Sequence, residues 1–246
     1  MIITELHNEL TKKKLKPTRE VMGTIIEGID KNIPHKNGFI YTIIGAPGKG
    51  KSSLLLSLFR DKNYYRNKFE NVYLITPESS FMSVVNHPFK NHDHVYHELN
   101  EDILNQIYEE CKTSKEECLE MECELEHSCL IIDDFASDLK DKYLIAVLKR
   151  ILTKSRHCCL SVIFTLQAYN MFPLVLRKMI TDVTLFKPNN RVELESVRKE
   201  LVNMNEKDMI SLTEFVFDEE YNHLDVNTGS GIIRKNFNEL LIKNNN

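Results

Sequence analysis

Apolar and polar positions change their spacing repeatedly along the chain. Gly38–Gly45 is an apolar run of strand length, and Ser53–Phe59 then begins a helix rich in leucine. A second strand is expected at Asn71–Thr76, closed by Pro77–Ser80. Residues 82–100 are rich in His, Asn and Pro and read as a polar loop holding one short strand near His94–Leu99. From Glu101 to Glu126 the spacing is helical, with Ile103, Leu104, Ile107, Tyr108, Cys111 and Cys118 on one apolar stripe. Ser128–Asp133 reads as a buried strand, Tyr143–Leu152 as an amphipathic helix, and Leu160–Gln167 as a third buried strand with a polar tip. A short helix is expected from Pro173, then a strand at Asp182–Lys187 stopped by Pro188. Val192–Met204 and Asp208–Phe217 carry helical spacing, and His223–Phe237 reads as a hairpin turning at Asn227–Gly231.

Strands that alternate with helices imply a mostly parallel sheet covered on both faces. Residues 38–242 form that α/β domain. Residues 1–37 look like an N-terminal adaptor, with a basic run at Lys12–Lys16 and helical spacing over Arg19–Ile33. Residues 243–246 read as a disordered tail, and no internal repeat is evident.

The first strand ends in Gly45-Ala46-Pro47-Gly48-Lys49-Gly50-Lys51-Ser52-Ser53, which fits the phosphate-loop pattern G-x-x-x-x-G-K-[ST]. Phosphates need a dense set of N–H donors, and glycines let the backbone supply them. The following helix start adds free N–H groups and its dipole. Lys51 is placed to reach the β- and γ-phosphates, and Ser52 to ligate Mg²⁺. Ser128-Cys-Leu-Ile-Ile-Asp133-Asp134 is a Walker B arrangement, with acids at the edge where open parallel sheets bind ligands. Asp133 is the expected Mg²⁺ ligand, directly or through water, and Asp134 the acid that polarises the attacking water. Gln167, at the tip of the third buried strand, can donate to a γ-phosphate and accept from a water.

Composition narrows the partners. The net charge of −4 argues against a generally basic nucleic-acid coat protein, so DNA contact has to be local. The six cysteines lack metal spacing and read as free thiols in a reducing compartment. His87, His92, His94 and His97 match no metal pattern. No apolar run reaches membrane-span length, and the N-terminus lacks a signal-peptide pattern, so a soluble intracellular protein is expected.

The phosphate-loop strand and the acid-tipped strand are separated in sequence by another strand, and the polar-tipped strand follows them. That layout resembles the P-loop NTPases that place an additional catalytic acid beside Walker B. Thr76-Pro77, the paired acids, Arg156-His157, Gln167, and Pro173 with Leu176-Arg177 together make the resemblance specific. Over residues 38–237 the chain resembles the A32-like genome-packaging ATPases of large DNA viruses and virophages, in the FtsK–HerA superfamily. The resemblance implies an ATP- and Mg²⁺-dependent pump. It would drive double-stranded DNA, without regard to sequence, into a preformed capsid. It would work as a hexameric or pentameric ring of identical subunits, with a capsid or portal protein as a further partner. The host cytoplasm, in viral factories, and the virion are the implied locations. Gln167 matches the γ-phosphate sensor and Arg156 the arginine finger lent to the neighbouring subunit, with Arg177 as second choice. Asp134 departs from the family's usual Glu by one methylene. A non-viral FtsK–HerA pump, a P-loop nucleotide kinase and a non-translocating ATPase module, such as a helicase loader or a regulatory switch, are the rival readings. The kinase lacks an evident acceptor pocket and an arginine-bearing lid.

Overall fold

Strands and helices follow the expected alternation, and the computed structural model describes residues 25–242. Nine strands form one sheet in the order β3-β2-β4-β5-β1-β6-β7-β8-β9. They are β1 (Ile40–Ile44), β2 (Asn71–Ile75), β3 (Val95–Tyr96), β4 (Ser128–Asp133), β5 (Leu160–Leu166), β6 (Asp182–Phe186), β7 (His223–Asn227), β8 (Ile233–Lys235) and β9 (Asn238–Glu239). Strands β1 to β6 pair in parallel, and β7, β8 and β9 add on in antiparallel fashion. The fold is therefore the α/β P-loop type with a C-terminal hairpin; β9 is an addition the sequence pattern did not disclose.

Strand β5 lies between β1 and β4, in register with both: Ile44 stands beside Leu166, and Asp133 beside Thr165. The C-terminal ends of the three strands thus form one edge. The phosphate loop, the paired acids and Gln167 all emerge there.

Seven helices cover the sheet: α1 (Lys51–Arg60), α2 (Glu78–Met82), α3 (Glu101–Glu120), α4 (Lys142–Lys154), α5 (Leu174–Arg177), α6 (Arg191–Val197) and α7 (Glu206–Val216). Alternate strand residues feed two cores, as the strand's two-residue period requires. One joins Ile40, Ile44, Leu130, Ile132, Val162 and Phe164 to Leu104 and Ile107 of α3 and to Leu148 and Ile151 of α4. The other joins Tyr41, Ile43, Ile131 and Ile163 to Leu55, Leu58 and Phe59 of α1.

Helix starts explain much of this geometry. Asn100, Asp141, Asn190 and Asn205 each cap a helix, their side chains accepting backbone N–H bonds at α3, α4, α6 and α7. Helix α2 begins after Pro77, where only a strand end was expected. Helix α6 continues as a π-helical segment, Arg198–Val202.

One expectation fails on the described residues. Helical spacing over Arg19–Ile33 predicts a helix, but from Ile25 onward the chain makes turns. Gly28 at φ +72° and Pro34 interrupt helical geometry, and Ile25 bridges to Lys36 instead. Ile26, Ile29 and Ile33 bury their side chains in the α1-side core, so this stretch packs onto the sheet and α1. The basic run Lys12–Lys16 and the tail 243–246 lie outside the described residues. No helix among the described residues is long and apolar enough to cross a membrane.

Candidate active site

Between β1 and α1 the chain turns tightly. Gly48 and Gly50 take φ values of +79° and +98°, which side chains on L residues rarely permit. A Cβ on Gly45 would stand 2.9 Å from the Phe186 Cβ, so the loop needs glycine there to pack against β6. Gly50 begins α1 without any side-chain cap. Where α3, α4, α6 and α7 satisfy their first N–H groups with Asn or Asp, α1 leaves its own facing a cleft, as an anion site requires.

Lys51, in the first turn of α1, donates from Nζ to the carbonyls of Gly45 at 2.7 Å and Ala46 at 3.3 Å. Burial lowers its pKa, opposed in part by the carboxylates of Asp134 and Asp133. The ammonium is thereby held across the mouth of the loop, between backbone carbonyls and the acids of β4.

Asp133 is held from both sides. The Thr165 hydroxyl of β5 donates to its Oδ1 at 2.6 Å, and the Thr76 hydroxyl after β2 donates to its Oδ2 at 3.1 Å. Burial raises the Asp133 pKa, the two hydroxyl bonds lower it, the Asp134 charge raises it, and Lys51 lowers it; the net direction is upward. Asp134 turns the chain in the left-handed conformation, φ +61°, which Asp tolerates better than most residues. Its amide donates to Thr165 Oγ1 at 3.0 Å, and its Oδ1 accepts from Gln167 Nε2 at 3.0 Å. Thr165 therefore orients both acids, one by its proton and the other by its lone pair.

These groups meet in a cleft of about 220 Å³ lined by Pro47, Lys51, Ser52, Asp133, Asp134 and Gln167. Every predicted residue of the phosphate loop and of Walker B belongs to this edge. Thr165 and Thr76 were not singled out as site residues. Thr165 becomes legible only through the β4–β5 register; Thr76 marks the resemblance in sequence, but its bond to Asp133 shows only through the neighbouring position of β2.

The two arginines stand elsewhere. Arg156 lies in the turn Ser155–Cys158 before β5, at the opposite edge of the sheet. There Gly38, at φ +67°, lets the backbone of Arg156 approach so closely that a Cβ would lie 2.6 Å from its Cα. The seven residues of β5 put roughly 20 Å between Arg156 and the acids. Arg156 makes no ion pair among the described residues. Arg177 is occupied: it pairs with Glu200 at 2.9 Å, donates to the Phe172 carbonyl at 2.9 Å, and lies over the Tyr169 ring.

The oxygen donors of Ser52 and Asp133 suit Mg²⁺, which binds few protein ligands and keeps waters and phosphate oxygens in its shell. The hydroxyl bonds to both Asp133 oxygens fix a carboxylate for such a shell. Among the described residues no cluster of His, Cys, Asp and Glu forms an all-protein metal cage. The described cysteines are free thiols.

Comparison with solved structures gives the same fold. The DNA-packaging ATPase B204 of Sulfolobus turreted icosahedral virus superposes with a TM-score of 0.58 at 16% identity, over 84% of this chain and 99% of that one. The genome packaging NTPase B204 of Sulfolobus turreted icosahedral virus 2, in complex with AMPPCP, gives 0.57 at 16% identity, with the same coverage. The cytoplasmic domain of the type VII secretion ATPase EccC from Thermomonospora curvata gives 0.53 at 15% identity, over 82% of this chain and 25% of that one. No curated protein sequence matches. The family model described as Poxvirus A32 protein matches residues 29–232, a span holding the phosphate loop, both acids, Gln167 and both arginines, and the chain belongs to that family.

Proposed function

We propose that this protein is an ATPase that packages a viral genome, pumping double-stranded DNA into a preformed capsid as a ring of identical subunits. One observation carries the reading: Lys51, Ser52, Asp133, Asp134 and Gln167 converge on a single cleft beside an uncapped helix start. The packaging assignment is supported by membership of the A32 family and by the shared fold of B204, a packaging enzyme.

The residues divide the work. Loop amides and Lys51 hold the phosphates, and Ser52 and Asp133 would hold Mg²⁺, which would supply neutralisation of charge on the phosphate oxygens. Asp134 accepts a proton from the attacking water, and Gln167 orients that water against the γ-phosphate. The hydrogen bond from Gln167 to the Asp134 carboxylate, made where the chain takes its left-handed turn, supports this role for an acid one methylene shorter than the family's Glu.

A finger has to come from a second subunit, since Arg156 is at the far edge of its own sheet. Its position there supports the ring: the edge that carries Arg156 would face the neighbour's cleft. The ion pair and carbonyl bond of Arg177 support a structural role for that residue instead. DNA would be gripped through its phosphates, independently of sequence and more weakly as salt rises.

ATP turnover with and without duplex DNA, alongside mass measurement of the assembly, tests the proposal. Lys51→Ala is expected to cost about a hundredfold to a thousandfold in turnover. Duplex DNA is expected to raise the wild-type rate. Full turnover by a strict monomer indifferent to duplex overturns the motor reading. Phosphate transfer to a nucleotide acceptor establishes the kinase instead.

A further inference from the structure

We infer that Tyr221 is the platform on which the nucleotide's base stacks, and that the site takes purine nucleoside triphosphates with little preference between adenine and guanine. The inference rests on the phosphate loop binding a nucleotide, as proposed above.

The loop divides two clefts. On one flank lie Asp133, Asp134 and Gln167, where the γ-phosphate reacts. On the other flank is a larger cleft of about 570 Å³, lined by Gly50, Ser53, Ser57, Phe186, Tyr221 and His223. Gly48, Lys51 and Ser52 border both. A nucleotide whose terminal phosphate faces the acids has to leave the loop on this second flank, so its base arrives there.

Three aromatic rings stand at that flank because β6, which pairs with the phosphate-loop strand, ends opposite the start of β7. Phe186 and His223 are register partners and pack ring against ring, both buried. Tyr221 differs: it is 59% exposed and lies in the connection from α7 to β7. Its ring stands against the loop, with Cδ1 3.3 Å from where a Cβ on Gly50 would lie. Its backbone takes φ +67°, which persists in a bulky residue only where the surroundings impose it. A large, mostly exposed aromatic side chain thus lines the cleft beside Gly50.

The polar groups around it are largely engaged. Ser57 donates its hydroxyl to the Ser53 carbonyl at 2.7 Å. His223 Nδ1 is 2.8 Å from Asp225 Oδ1, and Thr184 donates to that same carboxylate oxygen. Stacking requires only a π-face, which every base offers, so the platform favours the larger purines over pyrimidines without reading their edges.

The test is calorimetric binding of ATP, GTP, UTP and inorganic tripolyphosphate, each with Mg²⁺, to the full chain and to its Tyr221→Asn and Tyr221→Phe variants. Asn tolerates the left-handed backbone, which keeps folding out of the comparison. Tyr221→Asn is expected to weaken ATP and GTP roughly fivefold to a hundredfold, with tripolyphosphate unchanged. Tyr221→Phe should bind like wild type, and wild type should bind GTP within about threefold of ATP and UTP more weakly. Unchanged ATP affinity in Tyr221→Asn, equal losses for ATP and tripolyphosphate, or strong rejection of GTP by wild type overturns the proposal. ATP binding that ignores Lys51→Ala overturns the phosphate-loop reading itself.

Discussion

At the scale of single residues, Thr165 is the least conspicuous member of the site and among the most consequential. Its hydroxyl bonds Asp133 and receives the amide of Asp134, so both acids lose an orienting partner when it is removed. Thr165→Val keeps the strand's shape but leaves a half-buried carboxylate with one bond fewer, an effect of about 1–3 kcal/mol. ATP turnover should fall roughly tenfold to a hundredfold in a protein whose circular dichroism is unchanged. Asp133 also sets a pH dependence. Its folded pKa lies above the ordinary carboxylate value, chiefly through burial. On the proposed role of Asp133 as a Mg²⁺ ligand, nucleotide affinity needs its carboxylate ionised and should fail at a higher pH than a solvated Asp would dictate. The stability of the ligand-free protein responds in the opposite sense. A group whose folded pKa is raised binds its proton more tightly when folded, so the Asp133 contribution improves as pH falls through that value. Titrating nucleotide affinity and thermal stability side by side in Asp133 and Asp133→Asn proteins separates the two signs, and parallel pH profiles contradict them.

At the scale of elements, the contrast between α1 and its neighbours is informative. Helix α3 carries two favourable N-terminal features, the Asn100 cap with its 2.9 Å bond to the Ile103 amide and the acids Glu101 and Asp102 in its first turn. Asn100→Ala is expected to cost about 1 kcal/mol of unfolding free energy, read by urea denaturation, while turnover stays within twofold or so. Helix α1 has neither a cap nor an acid at its start, and either would occupy or repel the phosphates proposed to bind there. Its stability comes instead from Leu55, Leu58 and Phe59 packed beneath the loop. The helix expected over Arg19–Ile33 fails on its described part, residues 25–33, for the same reason in reverse. Its isoleucines satisfy helical spacing, but burial against Phe39 and Tyr65 rewards a looped path that positions them as well.

At the scale of the whole molecule, the proposed mechanism uses both edges of the sheet. The cleft occupies the C-terminal edge and Arg156 the N-terminal one, so no single copy can bring them together. A guanidinium lent between subunits stabilises the transferring phosphoryl group and is worth on the order of a thousandfold or more in rate. Mixing Arg156→Ala protein with Lys51→Ala protein should recover part of the lost turnover, because some interfaces then combine an intact finger with an intact loop. Recovery that follows the statistical proportion of such interfaces supports the shared site, and a flat response across all mixing ratios removes it.

The sequence alone determined the order of the main strands and helices from β1 to β8, the phosphate loop and the acid pair. Each is a local matter: period two against period 3.6, glycines where side chains cannot fit, and acids ending an apolar run. Its motif spacing also sufficed for the family resemblance that the model over residues 29–232 bears out. Only the tertiary structure decided which strands are neighbours. Placing β5 between β1 and β4 is what gives Thr165 its two partners and brings Gln167 to Asp134. It also set Arg156 at one edge, tied Arg177 to Glu200, and stood Tyr221 against Gly50. Those relations join residues far apart in the chain, and burial and pairing across the sheet, rather than any local pattern, select them.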